Sequence, residues 1–294
     1  MAEKGKDITV VIASSEDEAV FNCIDSVRDE ARIVVSLTPY PPIESKLVRL
    51  GIPFIVVPRG NLGITYNHGI ELAQTNKVIV MTDDAAFKPG AINKLEKGLD
   101  QFDACKARLE FQHNADPLST VVANARDFIN ASPSRVFTPG LAINKNIKGP
   151  MGGLFFNEQV RWAEDAEFSY RFRRNRGLRF GYIQDAVVTH PPVSVKHDLR
   201  GAFLIGLSKR RSVDLGLRQG DEDIIPTLKR ILSGETLARR NRLFREKGVS
   251  TLLYMMIWDS FYNFGYYLRR LGLSSSIEER LWQNFGRDDR NIVN

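Results

Sequence analysis

Two acidic clusters in this 294-residue chain carry the residue types that metal-dependent group transfer needs. The first is Asp83-Asp84, which follows the apolar run VIVM after Thr82, and the second is Glu164-Asp165, about 80 residues later. The segment that follows the second cluster ends on His190. Carboxylate and imidazole groups suit Mg²⁺ or Mn²⁺ on a diphosphate, and a remaining carboxylate can accept a proton. The pattern indicates a metal-assisted transfer reaction on a phosphorylated donor.

The first cluster follows a predicted strand in a half of the chain where strands and helices alternate. Short β-branched runs predict strands at Ile8–Ala13, Ile33–Leu37, Pro53–Val57 and Lys77–Met81. Helical stretches separate these runs, so we predict an α/β fold: a Rossmann-like, mostly parallel sheet flanked by helices. In such sheets ligands bind beyond the carboxyl ends of the strands, which is where Asp83 and Asp84 would lie. A purely structural role in the turn before Pro89 stays open for them.

The second cluster opens a predicted helix, from about Ala163 to Asn175, that ends before Gly177. Acidic residues also stabilise the first turn of a helix, so a structural role for Glu164 and Asp165 stays open. Strands are predicted at Arg179–Ile183 and Ala186–Val188, and only strands and loops over about 107–146. We expect one domain over residues 1–223, with halves at about 1–105 and 106–223, and a helical extension over 224–294.

Composition limits the classes of protein to consider. The formal charge is +6 with a pI near 9.3, which suits nucleic acid, an anionic membrane surface or a diphosphate substrate. With the acidic clusters in view we expect the diphosphate and no nucleic acid. No apolar run is long enough to span a bilayer, and the two cysteines, Cys23 and Cys105, form no CxxC pair. We therefore expect a cytoplasmic protein, with association at the inner face of the membrane left open.

The surroundings of both clusters resemble a known family. The elements are Asn61-Leu62-Gly63, Asn67-His68-Gly69-Ile70 and Asp83-Asp84 in the first half, then Glu164-Asp165-Ala166-Glu167-Phe168 with Arg171 and His190 in the second. Together they resemble family 2 glycosyltransferases of the GT-A fold, over roughly residues 8–195, with a rhamnosyltransferase-like subgroup as a candidate. The resemblance implies an inverting enzyme of polysaccharide biosynthesis. It would move a sugar from a UDP-, dTDP- or GDP-sugar to a saccharide or lipid-linked acceptor.

The resemblance also implies roles for individual residues. Asp165 matches the catalytic base, and Glu164 shapes the acceptor side. Asp84 matches the last aspartate of the DxD motif, which holds Mn²⁺ or Mg²⁺ on the diphosphate, and His190 matches a further metal ligand. The donor-binding residues that we predict are Ala13, Ser14, Ser15, Glu16, Arg59, Asn61, Gly63, Asn67, Asp83, Lys209, Arg210 and Arg211. Two interpretations of Lys209 to Arg211 stay open: they clamp the phosphates of the donor, or they form an exposed basic face.

The chain also departs from the family pattern. Thr82 takes the place of the first DxD aspartate, Ser14-Ser15 replaces an aromatic-asparagine pair, and the second strand lacks the aspartates found beside the base. Two alternatives therefore stay open: a sugar nucleotidyltransferase, and a catalytically silent nucleotide- or sugar-binding scaffold. The nucleotidyltransferase would need a glycine-rich loop with a basic residue after the first strand, and the segment IASSEDE offers neither. The scaffold would bind a nucleotide without turnover.

The extension over 224–294 contains an aromatic segment, Thr251–Leu271, with a narrow polar stripe of Asp259, Asn263 and Arg270. That stripe argues against a lipid-exposed span. We expect the helix to pack on its own domain or form a homo-oligomer, with peripheral membrane contact as the alternative.

Overall fold

A computed structural model describes residues 6–15, 18–59, 61–133, 135–217 and 233–272. The described strands are β1 (Ile8–Ser14), β2 (Arg32–Leu37), β3 (Phe54–Val56), β4 (Lys77–Thr82), β5 (Ala86–Phe87), β6 (Ala104–Phe111), β7 (Leu141–Asn144) and β8 (Phe180–His190). The described helices are α1 (Val20–Val27), α2 (Pro41–Leu50), α3 (Leu62–Leu72), α4 (Ala91–Gly98), α5 (Pro117–Asn130), α6 (Glu164–Arg174), α7 (Val195–Asp214) and α8 (Gly234–Arg270).

The chain divides into two compact units. The first comprises residues 1–112 and 130–191, and the second comprises residues 113–129 and 192–294. The predicted division between residues 223 and 224 falls outside the described residues and stays a prediction.

The first unit is built on one mixed sheet with the strand order β3-β2-β1-β4-β7-β6-β8-β5. All strands but β7 and β5 run in the same direction, because β7 pairs antiparallel with β4 and β6, and β5 antiparallel with β8. The predicted α/β class, a mostly parallel sheet flanked by helices and followed by helical C-terminal segments, is confirmed. As a result, the carboxyl ends of β2, β1 and β4 meet at one edge.

Burial explains this arrangement. Every residue of β1 is buried, as expected for a central strand that is covered by helices on both faces. On one face, Tyr66 and Ile70 of α3 share a core cluster with aromatic residues from the chain before and within α6, among them Phe156, Phe168 and Phe172. That cluster fixes α6, and with it the second acidic cluster, against the sheet.

The second unit contains most of α5 together with α7 and α8. Gly206 of α7 and Gly265 of α8 allow these two helices to approach closely: a Cβ atom would lie 2.0 Å from Tyr262 O at Gly206 and 2.2 Å from Phe203 O at Gly265. Helix α8 bends at Gly248, whose φ of 83° is readily adopted only by glycine. Among the described residues, no helix is both long enough and apolar enough to cross a membrane.

Two predictions of local structure differ from the structure. Residues 107–146 include helix α5 and are not only strands and loops. Its start was visible in the sequence: Asp116 accepts hydrogen bonds from the amides of Leu118 and Ser119, with Pro117 at the first helical position. The two strands predicted after Gly177 form a single strand, β8, whose register against β6 shifts between Ala107 and Arg108.

Candidate functional site

Asp83 connects the ends of β1 and β4. Its backbone amide donates to Ala13 O at 3.1 Å, and its Oδ2 accepts from the Ser15 amide at 2.9 Å. The carboxylate therefore shapes the segment that follows β1, which includes the predicted donor residues Ala13, Ser14 and Ser15. Glu16, also predicted to bind the donor, lies outside the described residues.

Two buried hydroxyl groups lie where β1 and β2 end. Ser14 and Thr38 are 5% and 7% exposed, and the Thr38 amide donates to Ser14 O at 3.2 Å. Within the described part of the chain, neither Ser14 Oγ nor Thr38 Oγ1 has a hydrogen-bond partner. Because buried polar groups are normally paired, these two hydroxyls would be satisfied by a polar ligand or by water.

Asp84 and His190 are in contact, with Oδ2 and Nε2 3.2 Å apart. Burial alone would raise the pKa of Asp84, but the charge and hydrogen bond of His190, aided by the nearby Thr82 hydroxyl, lower it to about 2. Neither Thr82 Oγ1 nor Asp84 Oδ1 makes a hydrogen bond of normal geometry to a described residue. The carboxylate is thus ionised at neutral pH and keeps one oxygen for another group.

The proton arrangement of His190 bears on the predicted metal. Its Nδ1 lies 2.9 Å from Pro191 O, which only accepts, so Nδ1 carries a proton. Nε2 then either carries a second proton toward Asp84 or directs its lone pair at a cation. Histidine ligands of metals commonly donate their other N–H to a carbonyl in this way. Asp84 and His190 therefore fit a divalent ion.

These two residues would be an incomplete shell by themselves. In the described ranges, no group of three or more His, Cys, Asp or Glu side chains is arranged to hold a metal. Magnesium and manganese often keep few protein ligands and take the rest from phosphate oxygens and water. The metal stays a prediction.

Glu164 and Asp165 occupy the first turn of α6. They directly follow Trp162 and Ala163, and Trp162 has a φ of 62°, a conformation that is costly for a bulky residue. Asp165 Oδ1 accepts from the Ala166 amide at 2.6 Å. Burial raises the pKa of both carboxyl groups, and the charge of Asp165 raises that of Glu164 further. The two groups titrate as a pair, with pKa values well above the ordinary carboxyl range.

A buried tyrosine borders both acidic clusters. Tyr66 is fully buried, and its pKa is raised first by burial and then by the charge of Glu164, with smaller contributions from Asp84 and Asp83. Its ring packs on Phe156 with centroids 5.2 Å apart. The structure therefore brings the two sequence-predicted clusters to one region of the first unit.

The segment from Phe156 to Glu158 is held by three residues that are predicted to bind the donor: Asn61, Gly63 and Asn67. Asn61 caps α3 through the Gly63 amide at 2.8 Å and donates to Glu158 O. Asn67 exchanges hydrogen bonds of 2.8 and 3.0 Å with the Phe156 backbone. A Cβ atom at Gly63 would lie 3.3 Å from both Asn157 O and Phe156 Cβ. Their donor contacts stay predictions, as does that of the exposed Arg59.

Arg171 fixes the other side of the same segment. Its guanidinium binds Glu167, which is fully buried, through both carboxylate oxygens, at 2.5 and 2.9 Å. It also donates to the carbonyl oxygens of Met151, Leu154 and Phe155, at 2.5, 2.9 and 2.8 Å. The glycine-containing loop at residues 149–155 is therefore tied to α6, the helix that carries the second acidic cluster.

Lys209, Arg210 and Arg211 belong to α7 in the second unit. Arg210 donates to Asp214 at 2.7 Å, and Lys209 lies over the rings of Tyr262 and Tyr266 at 5.4 and 5.7 Å. These contacts are internal to the second unit, and the phosphate clamp stays a prediction.

Sequence reasoning missed several residues of this region. Nothing in the local sequence marks Tyr66, Trp162 or Arg135 as part of a site. Arg135 matters because its charge lowers the pKa of Asp165. Lys106 did have one: it is a lysine within the apolar strand β6, 1% exposed, and its Nζ donates to Asn130 O and Ser132 O at 2.9 and 2.6 Å. Burial, followed by the charges of Arg135 and Arg173, lowers its pKa to about 8.

Comparison with known proteins gives similarity at the level of structure only. No protein-family model and no curated protein matches the chain. The crystal structure of the S. aureus TarS 1-349 fragment in complex with UDP-GlcNAc aligns over 90% of this chain and 92% of its own, with 12% identity and a TM-score of 0.48. That of S. aureus TarS aligns over 89% and 55%, with 12% identity and a TM-score of 0.49. Similarity of this extent assigns no reaction, substrate or metal to this chain.

Proposed function

We propose that this chain is a glycosyltransferase that moves a sugar from a nucleoside-diphosphate sugar to a hydroxyl group of a saccharide or lipid-linked glycan. The observation that carries the proposal is a set of buried oxygens at one edge of the sheet, on Ser14, Thr38 and Asp84, which have no hydrogen-bond partner among the described residues. Each such group costs about 1–3 kcal/mol when left unpaired, so a ligand that binds them all recovers that free energy. A nucleotide offers donors for the hydroxyls, and a metal–diphosphate complex offers a partner for the carboxylate.

The paired carboxylates supply the second requirement, a general base. Asp165 would take the proton of the acceptor hydroxyl while the acceptor oxygen bonds to the anomeric carbon. The bond from that carbon to the phosphate oxygen breaks on the opposite face, so the configuration inverts. The raised pKa of Asp165 supports this role, because a base is most effective when its pKa approaches the working pH.

Asp84 and His190 would hold Mn²⁺ or Mg²⁺. When bound, such an ion neutralises the charge of the departing nucleoside diphosphate. Asp83 would keep the segment after β1 in position for the nucleotide, through its hydrogen bond to Ser15.

The direct test is a panel of UDP-, dTDP- and GDP-sugars with Mn²⁺, scored by release of nucleoside diphosphate. Asp165→Asn should slow release about 10²–10⁴-fold, the usual contribution of a general base, with an unchanged circular dichroism spectrum. Asp185→Asn is the matched control, since Asp185 is an exposed residue of β8. Full activity in Asp165→Asn would overturn the proposal.

The same panel, extended by nucleoside triphosphates with a sugar 1-phosphate, separates the alternatives. A sugar nucleotidyltransferase would release pyrophosphate from a nucleoside triphosphate and a sugar phosphate. A silent scaffold would bind a nucleotide sugar without releasing diphosphate under any condition. Either result replaces the proposed reaction.

A further inference from the structure

Helix α8 has two apolar faces, of which one is packed. After the bend at Gly248, Tyr254, Met255 and Tyr266 are buried. The close approach at Gly206 and Gly265 fixes this face against α7. Because residues on one helix face recur every three to four positions, the packed face determines which side chains point away.

The opposite face is an exposed apolar stripe. We define the α8 stripe as Val249, Leu253, Met256, Ile257, Phe264 and Leu271, which are between 44% and 71% exposed. Their spacings of four, three, one, seven and seven place them on one side of the helix. At 1.5 Å per residue the stripe is about 33 Å long. Isolated exposed apolar residues are ordinary, but a continuous line of six marks a surface that another apolar phase covers.

The charge of α8 indicates what covers the stripe. The helix has seven basic residues against three acidic ones: Arg239, Arg240, Arg242, Arg245, Lys247, Arg269 and Arg270 against Glu235, Glu246 and Asp259. The basic residues lie before Gly248 and at the end of the helix, near the two ends of the stripe in sequence. Arg240 and Arg269 form ion pairs with Asp259 and Asp214, whereas Arg239 and Arg245 are exposed. A second copy of the chain would bring the same excess of positive charge against itself, whereas anionic headgroups would complement it.

We propose that the α8 stripe docks on the surface of an anionic lipid bilayer, with the helix parallel to the membrane plane. The apolar side chains enter the boundary between headgroups and acyl chains, and exposed arginines such as Arg239 and Arg245 pair with lipid phosphates. This proposal does not rest on the proposed reaction, and its test requires no substrate.

The test is co-sedimentation of the full chain with vesicles of phosphatidylcholine alone, or with about one-third phosphatidylglycerol. We expect binding to the anionic vesicles only, and less binding as salt increases. Leu253→Glu and Phe264→Glu should each weaken binding about tenfold, because each removes most of the apolar transfer of one side chain. Arg239→Gln with Arg245→Gln should weaken it about fivefold per charge.

The matched control is Val48→Glu, which changes an exposed valine of α2 in the first unit and should leave vesicle binding unchanged. Circular dichroism and thermal unfolding verify that each variant is folded. Equal binding to neutral and anionic vesicles, or none to either, overturns the proposal. A concentration-dependent dimer that Leu253→Glu and Phe264→Glu abolish, without vesicle binding, overturns it in favour of a second copy.

Discussion

Asp84 and His190 lie 3.2 Å apart because a two-residue strand pairs with the end of a long one. Ala86 and Phe87 of β5 lie opposite Thr189 and Val188 of β8, in antiparallel register. The Thr189 hydroxyl also donates to Ala86 O at 3.2 Å. In an antiparallel pair, each step backward along β5 is a step forward along β8. This register places Ala85 opposite His190, so Asp84 lies one residue beyond that position and its side chain reaches the imidazole.

Asp84→Asn should weaken Mn²⁺ binding by at least about tenfold, since it removes the charge of the carboxylate that contacts His190. Mn²⁺ titration by calorimetry, with and without nucleoside diphosphate, measures the effect. His190→Gln should give a similar loss, because it replaces the imidazole nitrogen. Asp185→Asn is the control on the same strand as His190. Unchanged affinity in both Asp84 and His190 variants would refute the predicted metal site.

The acidic limb of the activity profile should report the pair of Glu164 and Asp165 and not Asp84. The pKa of Asp84 is lowered to about 2, so its charge is constant at working pH. The pKa of Asp165 is raised by burial and partly lowered again by backbone hydrogen bonds and, less, by the charge of Arg135, so activity should fall as pH decreases through that raised value. Arg135→Gln should move the limb to higher pH. Its control is Arg176→Gln, at an exposed arginine after α6, and a limb at the ordinary aspartate pKa of about 4 would contradict this assignment.

Glu164→Gln should increase the free energy of unfolding at pH 8 and leave it nearly unchanged at pH 4. A carboxyl group with a raised pKa binds its proton more tightly in the folded state, so it lowers stability as pH rises from the unfolded value of about 4.3. Glutamine cannot ionise and avoids that loss, a gain of about 1–3 kcal/mol measured by urea unfolding. The gain should shrink in an Asp165→Asn background, because the charge of Asp165 contributes to the shift.

A matched variant gives the opposite sign. Lys148 lowers the pKa of Glu71, mainly through a hydrogen bond, so ionised Glu71 adds stability above its unfolded pKa and loses it in acid. Glu71→Gln should therefore give no gain at pH 8. A gain in both variants would mean that removal of any carboxylate stabilises this basic chain.

The strands of the first unit and the edge where they end were predictable, because buried β-branched runs and their order depend on local sequence. The acidic clusters were also found from residue type and spacing. Tyr66 and Arg135 were not, because their influence on Glu164, Asp84 and Asp165 arises only after α3, α6 and the segment following α5 come together. Asn61 and Asn67 illustrate a different limit. Their positions match a motif, but only the structure reveals their hydrogen bonds to Phe156 and Glu158.

Arg171→Lys should lower the free energy of unfolding by about 2 kcal/mol. Lysine keeps the charge but cannot bind Glu167 through two oxygens and three carbonyl groups at once. The loop at residues 149–155 should also become more sensitive to limited proteolysis, measured by mass spectrometry of the first cleavage products. Arg173→Lys, at an exposed position of α6, is the control for both measurements. Equal effects of the two substitutions would show that Arg171 has no special structural role.

Gly265→Ala should destabilise the second unit by about 1–3 kcal/mol, since overpacking at a close helix contact forces the backbones apart. The new Cβ atom would lie 2.2 Å from Phe203 O, and backbone cannot rotate away as a side chain can. Gly206→Ala should behave alike, with its Cβ 2.0 Å from Tyr262 O. Gly201→Ala is the control: it lies in α7 with nothing within 4 Å of a new Cβ, so alanine should stabilise the helix by up to about 1 kcal/mol. Thermal unfolding of the three variants measures the contrast, and a stabilised Gly265→Ala variant would mean that α7 and α8 do not pack as closely as described.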